Sequence, residues 1–161
     1  MTFLIVAALV AQAPYDVVKS VAGDAATKQL ENEVNKRLLS EAHKNQCSFK
    51  TDSDQFAKNC DQKLKKLNNA LVDAKKKLNA SGVKNFKFEV SGHTDSSGNE
   101  AHNKELSQKR ADVIVKELVK RGVPENEIIA VGKGSSQRLV AKDDTPEKKA
   151  KNRRYEIRVR L

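Results

Sequence analysis

Tryptophan is absent from the 161 residues, and five Phe and two Tyr are the only aromatics. A protein that grips single-stranded nucleic acid stacks bases on aromatic rings interleaved with cations. Here the Lys and Arg residues lie along helical stretches without such rings, so nucleic acid is not expected as a partner. The net charge of +10 points instead to another polyanion, an acidic wall polymer or anionic lipid.

Signatures of catalysis are missing as well. The chain has no G-x-S-x-G and no HExxH, and Cys47 has no evident His partner, so no activated nucleophile is in view and no catalytic residue is assigned. His93, Asp95, Glu100 and His102 match no metal-ligand spacing, and neither a metal nor a cofactor is expected. No apolar run is long enough to span a bilayer, which takes roughly 20 residues as a helix. The run Phe3 to Ala11, followed by Gln12-Ala13, has the length and ending of an export signal; a retained anchor is the competing reading of residues 1–13.

Cysteine is scarce too. Cys47 and Cys60 are separated by twelve residues, a loop short enough to close as a disulfide in an oxidising compartment, whereas in cytosol the pair would be free thiols.

With 38% hydrophobic and 32% charged residues, the chain has enough apolar matter for a core and is not disordered. Its length suits one core with a modest extension. From about Tyr15 to Lys44 the pattern is helical, with Val17, Val18, Val21, Leu30, Val34, Leu38 and Leu39 as a loose stripe and Gly23-Asp24 as a candidate break in it. That stripe is too thin for a core of its own. Residues 14–44 are therefore read as a linker or docking segment lying on the following domain, on an envelope partner, or on a second copy.

Cys47 to Lys50 reads as a short strand and Thr51 to Asp54 as the cap of a following helix, whose buried face is Leu64, Leu67, Leu71, Ala74 and Leu78. Phe86, Phe88 and Val90 alternate as a half-buried strand. A helix from about His102 to Arg121 stops at Gly122, and Ile128 to Val131 is a buried strand. Thr145-Pro146 starts a short helix, and Tyr155, Ile157, Val159 and Leu161 alternate as the last strand. The order implies an α+β fold, an α/β sandwich in which helices pack on one mixed sheet, over residues 45–161.

Two arginines break the pattern. Arg110 projects between Leu106 and Ile114, inside the apolar stripe of its helix, and Arg153 shares parity with Tyr155, Ile157 and Val159. A guanidinium on a buried face needs an anion, either an internal carboxylate or a ligand; the alternative is a stem that snorkels to water. Asp95 leaves a strand directly into a loop ending at Gly98, where it serves either a ligand or an Asx turn. Together, a carboxylate and forked arginines suit a zwitterion, such as an amino-acid head group.

Val90-Ser-Gly-His-Thr-Asp-Ser-Ser-Gly98, Asn103-Lys-Glu-Leu-Ser-Gln-Lys-Arg-Ala111, Gly132-Lys-Gly134 and Asn152-Arg-Arg-Tyr-Glu-Ile157 together resemble the C-terminal domain family of OmpA, Pal and MotB. The resemblance covers about Cys47 to Leu161. It implies a β-α-β-α-β core behind an N-terminal helical segment, and non-covalent binding of peptidoglycan at the diaminopimelate of the stem peptide. Asp95 and Arg110 are the implied central pair. Thr94, Asn103, the backbone near Leu106 and Arg153 are implied contacts, and Gly92, Gly98 and Asn152 supports, Asn152 bracing the start of the last strand. It also implies a periplasmic location, at the cell wall or outer membrane. The other role considered is a structural subunit of an envelope assembly, such as a motor stator, secretion or tethering complex, oligomerising through residues 14–44. The chain departs from the family at Lys50 to Asp54, at Leu139-Val140 where a proline is usual, and in the more basic Glu147-Lys-Lys-Ala-Lys151.

Overall fold

The order of elements is α1 (Ala13–Lys44), α2 (Asp61–Ala80), β1 (Lys87–Gly92), α3 (Glu100–Lys120), a 3-10 turn at Glu125–Glu127, β2 (Ile128–Gly132), α4 (Pro146–Asn152) and β3 (Tyr155–Arg160). The computed structural model describes residues 13–161, with side chains from Gly23 onward. The stretch read as a signal or anchor, residues 1–13, lies but for its last residue outside them.

Three strands form one mixed sheet in the order β2-β1-β3, β1 parallel to β2 and antiparallel to β3. The parallel pair requires a crossover, and α3 supplies it. Phe88, Val90, Ile157 and Val159 face the helices and are buried with Leu64, Leu67, Leu71 and Leu78 of α2 and Ala111, Ile114 and Leu118 of α3. The alternate positions carry charge: Arg160 pairs with Glu89, and Glu156 with Arg154 and Arg158. The period of two thus divides a helix-covered face from a charged one.

Helix α1 is continuous over 32 residues, so Gly23-Asp24 does not break it. One glycine in an exposed helix costs only about 1 kcal/mol against alanine, and Ala22, Ala25 and Ala26 around it are strong helix formers. From Val34 onward the helix lies on its own domain, with Val34, Leu38 and Ala42 in the core.

The strand expected at Cys47–Lys50 is reduced to a single bridge between Phe49 and Phe56. Two of its backbone groups are satisfied locally, Lys50 N–H donating to Gln55 at 2.9 Å and Ser48 O accepting from Ala57 N–H at 2.8 Å, while Cys47 N–H donates to the Tyr155 hydroxyl at 3.1 Å. Thr51 to Asp54 form the tip of this loop and not a helix cap, since α2 begins only at Asp61. A disulfide between Cys47 and Cys60 closes the loop, with Cα atoms 5.6 Å apart.

Amide side chains cover the outer edge of β3. Asn35 accepts from Val159 N–H at 2.7 Å and donates to its carbonyl at 3.2 Å. Gln46 does the same for Tyr155, at 3.0 and 2.7 Å. Each amide offers one donor group and one acceptor, as a neighbouring strand would, so this edge is not left bare.

Candidate functional site

Gly92 ends β1 where α3 crosses the sheet, and the closeness of that crossing shapes the site. A Cβ at Gly92 would sit 2.2 Å from the carbonyl oxygen of Ser107, and one at Gly132 2.6 Å from the nitrogen of Gln108. Only glycine admits the helix backbone there. The approach sets the first turns of α3 beside the loop that leaves β1, over a cavity of about 860 Å³.

Asp95, Asn103, Leu106, Arg110 and Arg153 all line this cavity, with Gly92 and Gly98 in its wall. Asp95 is 8% exposed. One carboxylate oxygen accepts from Arg153 Nη1 at 2.7 Å and the other from Ser97 N–H at 2.9 Å. Burial raises its pKa, but the Arg153 hydrogen bond and the Ser97 donors outweigh burial and hold the carboxyl below its ordinary range. Asp95 is therefore an anion facing the cavity at neutral pH. Its bond to Ser97 is the Asx turn, one of the two readings of this residue, and the turn leaves the carboxylate lining the cavity.

Arg110 is not paired with Asp95. Nε donates to Ser53 O at 2.9 Å, Nη2 to Lys50 O at 3.2 Å, and the guanidinium lies 5.1 Å from the centre of the Phe49 ring. Burial, then the nearby Arg153, press its pKa down, while Asp52 and Asp95 oppose them; a guanidinium stays charged regardless. Carbonyl oxygens and a ring face orient this cation without neutralising it. Leu106 and Arg110 flank the buried face of α3, formed by Asn103, Ser107, Ala111, Ile114 and Leu118, and not the inside of it as expected, and the loop that holds Arg110 is more than fifty residues away in sequence.

Three expected residues are placed differently from their reading. Arg153 is not on the buried face of β3, because that strand starts only at Tyr155; it caps α4 and reaches Asp95 from the side, 45% exposed. Asn152 is fully buried, yet it braces the loop before α4 and not the start of β3. Its amide accepts from Leu139 and Val140 N–H at 2.9 and 3.0 Å and donates to Val140 O and Asp143. Thr94 is buried behind the wall, outside the cavity lining, tied by its N–H to Gly134 O at 2.9 Å. Asn103 donates to Ser97 O at 2.8 Å and so fixes the Asp95 loop against α3.

Sequence reasoning missed Asp143. Its carboxylate accepts from Ser96 N–H at 2.9 Å, from the Ser96 hydroxyl and from Asn152 at 2.8 Å. The Ser96 hydrogen bond first, and then Asn152, hold its pKa far below the ordinary range. The anion ties the Asp95 loop to α4. Its only sequence signal was an Asp pair just before a helix cap.

His93 makes a hydrogen bond, the commoner role for a histidine in such a loop, but its depth of burial has no signal in the sequence. It is 2% exposed, with Nε2 3.2 Å from Ser91 Oγ, and its Nδ1 has no partner among the described residues. Burial, then the charge of Arg154 with Lys133 and Arg158 behind it, push the imidazole down to about 4 against the pull of Glu156. Below pH ~6.5 the unfolded chain takes up a proton that the folded one refuses, so stability falls as pH drops toward the folded value. Urea unfolding at pH 5 should show a loss of roughly 2 kcal/mol from this group relative to pH 7. The His93→Gln variant should lose that increment, and equal slopes for both proteins would contradict the assignment.

The sequence profile of the OmpA family matches residues 48–153. Outer membrane porin F of Pseudomonas fluorescens is 52% identical over 71 residues, covering 44% of this chain and 22% of that protein. Peptidoglycan-binding protein ArfA of Mycobacterium tuberculosis is 46% identical over 68 residues, 42% of this chain and 21% of that protein. The chain thus matches about a fifth of the length of these curated relatives. The peptidoglycan-associated lipoprotein of Burkholderia pseudomallei shares the fold, with a TM-score of 0.59 at 22% identity over 74% of this chain and 93% of that one. With its glycine-bedded helix, mixed sheet and matched segment spanning more than half of its length, the chain belongs to the OmpA family.

Proposed function

We propose that the domain binds peptidoglycan non-covalently through the diaminopimelate of the stem peptide, and so anchors an envelope component to the wall from the periplasmic side, at the cell wall or outer membrane. The role is holding, with no bond made or broken. One observation carries the reading: a buried carboxylate, Asp95, and a guanidinium without a carboxylate partner, Arg110, line one cavity. An amino-acid head group presents the complementary ammonium and carboxylate.

In this reading the ligand ammonium takes the Asp95 oxygen now held by Arg153, and the ligand carboxylate meets the N–H groups of Arg110 that the loop carbonyls leave over. Asn103 and the Leu106 backbone flank it. The name of one relative, a peptidoglycan-binding protein, supports the ligand class.

Co-sedimentation of the chain with purified sacculi tests it. Binding should saturate and be competed by free meso-diaminopimelate, but not by cadaverine, which carries the two amines without the carboxylates. Binding that diaminopimelate leaves untouched would sink the proposal.

A further inference from the structure

The charges lining the cavity do not balance. Lys50, Arg110, Lys151, Arg153 and Arg154 face Asp52 and Asp95. Two of the cations are neutralised, Arg153 by Asp95 and Arg154 by Glu156, each at 2.7 Å. Asp52 lies 2.5 Å from His102 and keeps its own charge, a single carboxylate of the lining against three cations without an ion pair among the described residues, Lys50, Arg110 and Lys151. Arg110 and Lys50 bond only to uncharged oxygens, the Lys50 ammonium to the Gln55 side chain at 3.0 Å. Lys151 is exposed and makes no ion pair or hydrogen bond among the described residues.

A zwitterion leaves this surplus in place. Its carboxylate answers Arg110, but its ammonium displaces Arg153 from Asp95 and sets a further cation free. Lys50, Lys151 and Arg153 then face whatever continues from the head group. In a concave, partly desolvated site such a field is focused and not dispersed in water.

We propose that the cavity selects stem peptides with a free carboxylate beyond the diaminopimelate head group, received by Lys151 and Lys50. The neighbouring γ-linked glutamate offers such a group, as its α-carboxylate when free and as a neutral amide when amidated. The inference rests on the diaminopimelate reading and adds a preference for the anionic stem. It also gives a role to the basic stretch of α4, whose Lys148 is engaged by Asp144 at 2.6 Å while Lys151 is left for the cavity.

Calorimetry of the full chain with two synthetic tetrapeptides, alanyl-γ-glutamyl-diaminopimelyl-alanine amide with the glutamate carboxylate free or amidated, decides the matter, since the chain-side diaminopimelate carboxyl is then a peptide bond in both. The free acid should bind about ten-fold more tightly at low salt, and the preference should shrink at high salt. The Lys151→Gln, Lys50→Gln double variant should bring the ratio to about two-fold, and Lys151→Glu should reverse it. The Lys50 substitution leaves the carbonyl that orients Arg110 in place. Equal affinities for the two peptides, or a preference that survives both lysine changes, would overturn the inference while leaving the head-group site intact. Failure of both peptides to bind would overturn the diaminopimelate reading along with it.

Discussion

Replacing Asp95 with alanine should weaken sacculus binding by about a hundred-fold or more, the cost of removing one partner from a buried, hydrogen-bonded charge pair. Asp95 is 8% exposed and lines the cavity, so its carboxylate is the anion a ligand ammonium there would meet. What remains after truncation is worse than neutral: Arg153 loses its partner and faces the ligand ammonium as a like charge. Asp95→Asn isolates the electrostatic share. An amide oxygen still accepts from Ser97 N–H, so the loop keeps its turn, yet the negative charge is gone, and most of the affinity should go with it. Because Asp95 holds nothing but Arg153 and Ser97, both variants should keep the wild-type circular dichroism spectrum. A variant that folds and binds sacculi as wild type does would remove Asp95 from the site.

Gly92→Ala should damage the fold itself. The added Cβ would stand 2.2 Å from the Ser107 carbonyl oxygen, a contact with backbone that no rotamer change relieves. Helix α3 has to move off the sheet, and its neighbouring contact at Gly132, where a Cβ would lie 2.6 Å from Gln108 N, shows that the whole crossing is equally close. Overpacking of this kind costs about 3 kcal/mol or more, a large part of the 5–15 kcal/mol that stabilises a typical domain. Thermal unfolding should begin roughly 10 °C lower. Gly23→Ala is the control: a Cβ there meets nothing within 4 Å in a helix, and the change should be neutral or stabilising by up to about 1 kcal/mol. Equal melting temperatures for Gly92→Ala and wild type would show that the crossing is not tight. The displacement would also carry Asn103, Leu106 and Arg110 away from the Asp95 loop, so ligand binding should fall even where the variant is folded.

The elements that local chemistry fixes were readable in advance. Alternation placed β1 and β3, and Ile128 to Val131 placed β2, to within a residue or two, although β2 is an edge strand with Ile129 exposed and not the buried strand expected. Thr145 does cap α4, accepting from Lys148 N–H at 3.3 Å. What escaped were outcomes decided by distant partners. Cys47 to Lys50 was read as a strand, yet its hydrogen bonds go to its own loop at Gln55 and Ala57 and to side chains at Tyr155 and Arg110, and the β3 edge where a further strand would add is covered by Asn35 and Gln46. The parity argument for Arg153 failed because the strand starts two residues later than parity required. Of the alternatives open for this guanidinium, an internal carboxylate is the one realised, and Asp95 supplies it from another element. Arg110 bonds to carbonyl oxygens instead. It flanks the buried face of α3 and not the inside of it, and Ser53 and Lys50 carbonyls as its neighbours were not visible, because no pattern in one chain links residues so far apart.

Whether Asp95 and Arg110 hold the two ends of one zwitterion is tested most directly by a crystal structure of the domain with a diaminopimelate-containing tripeptide. The ammonium should lie within hydrogen-bonding distance of Asp95, with Arg153 swung away, and the carboxylate of the same carbon should lie on Arg110. A ligand bound elsewhere, or one in the cavity that leaves the Asp95–Arg153 pair closed, would contradict the account.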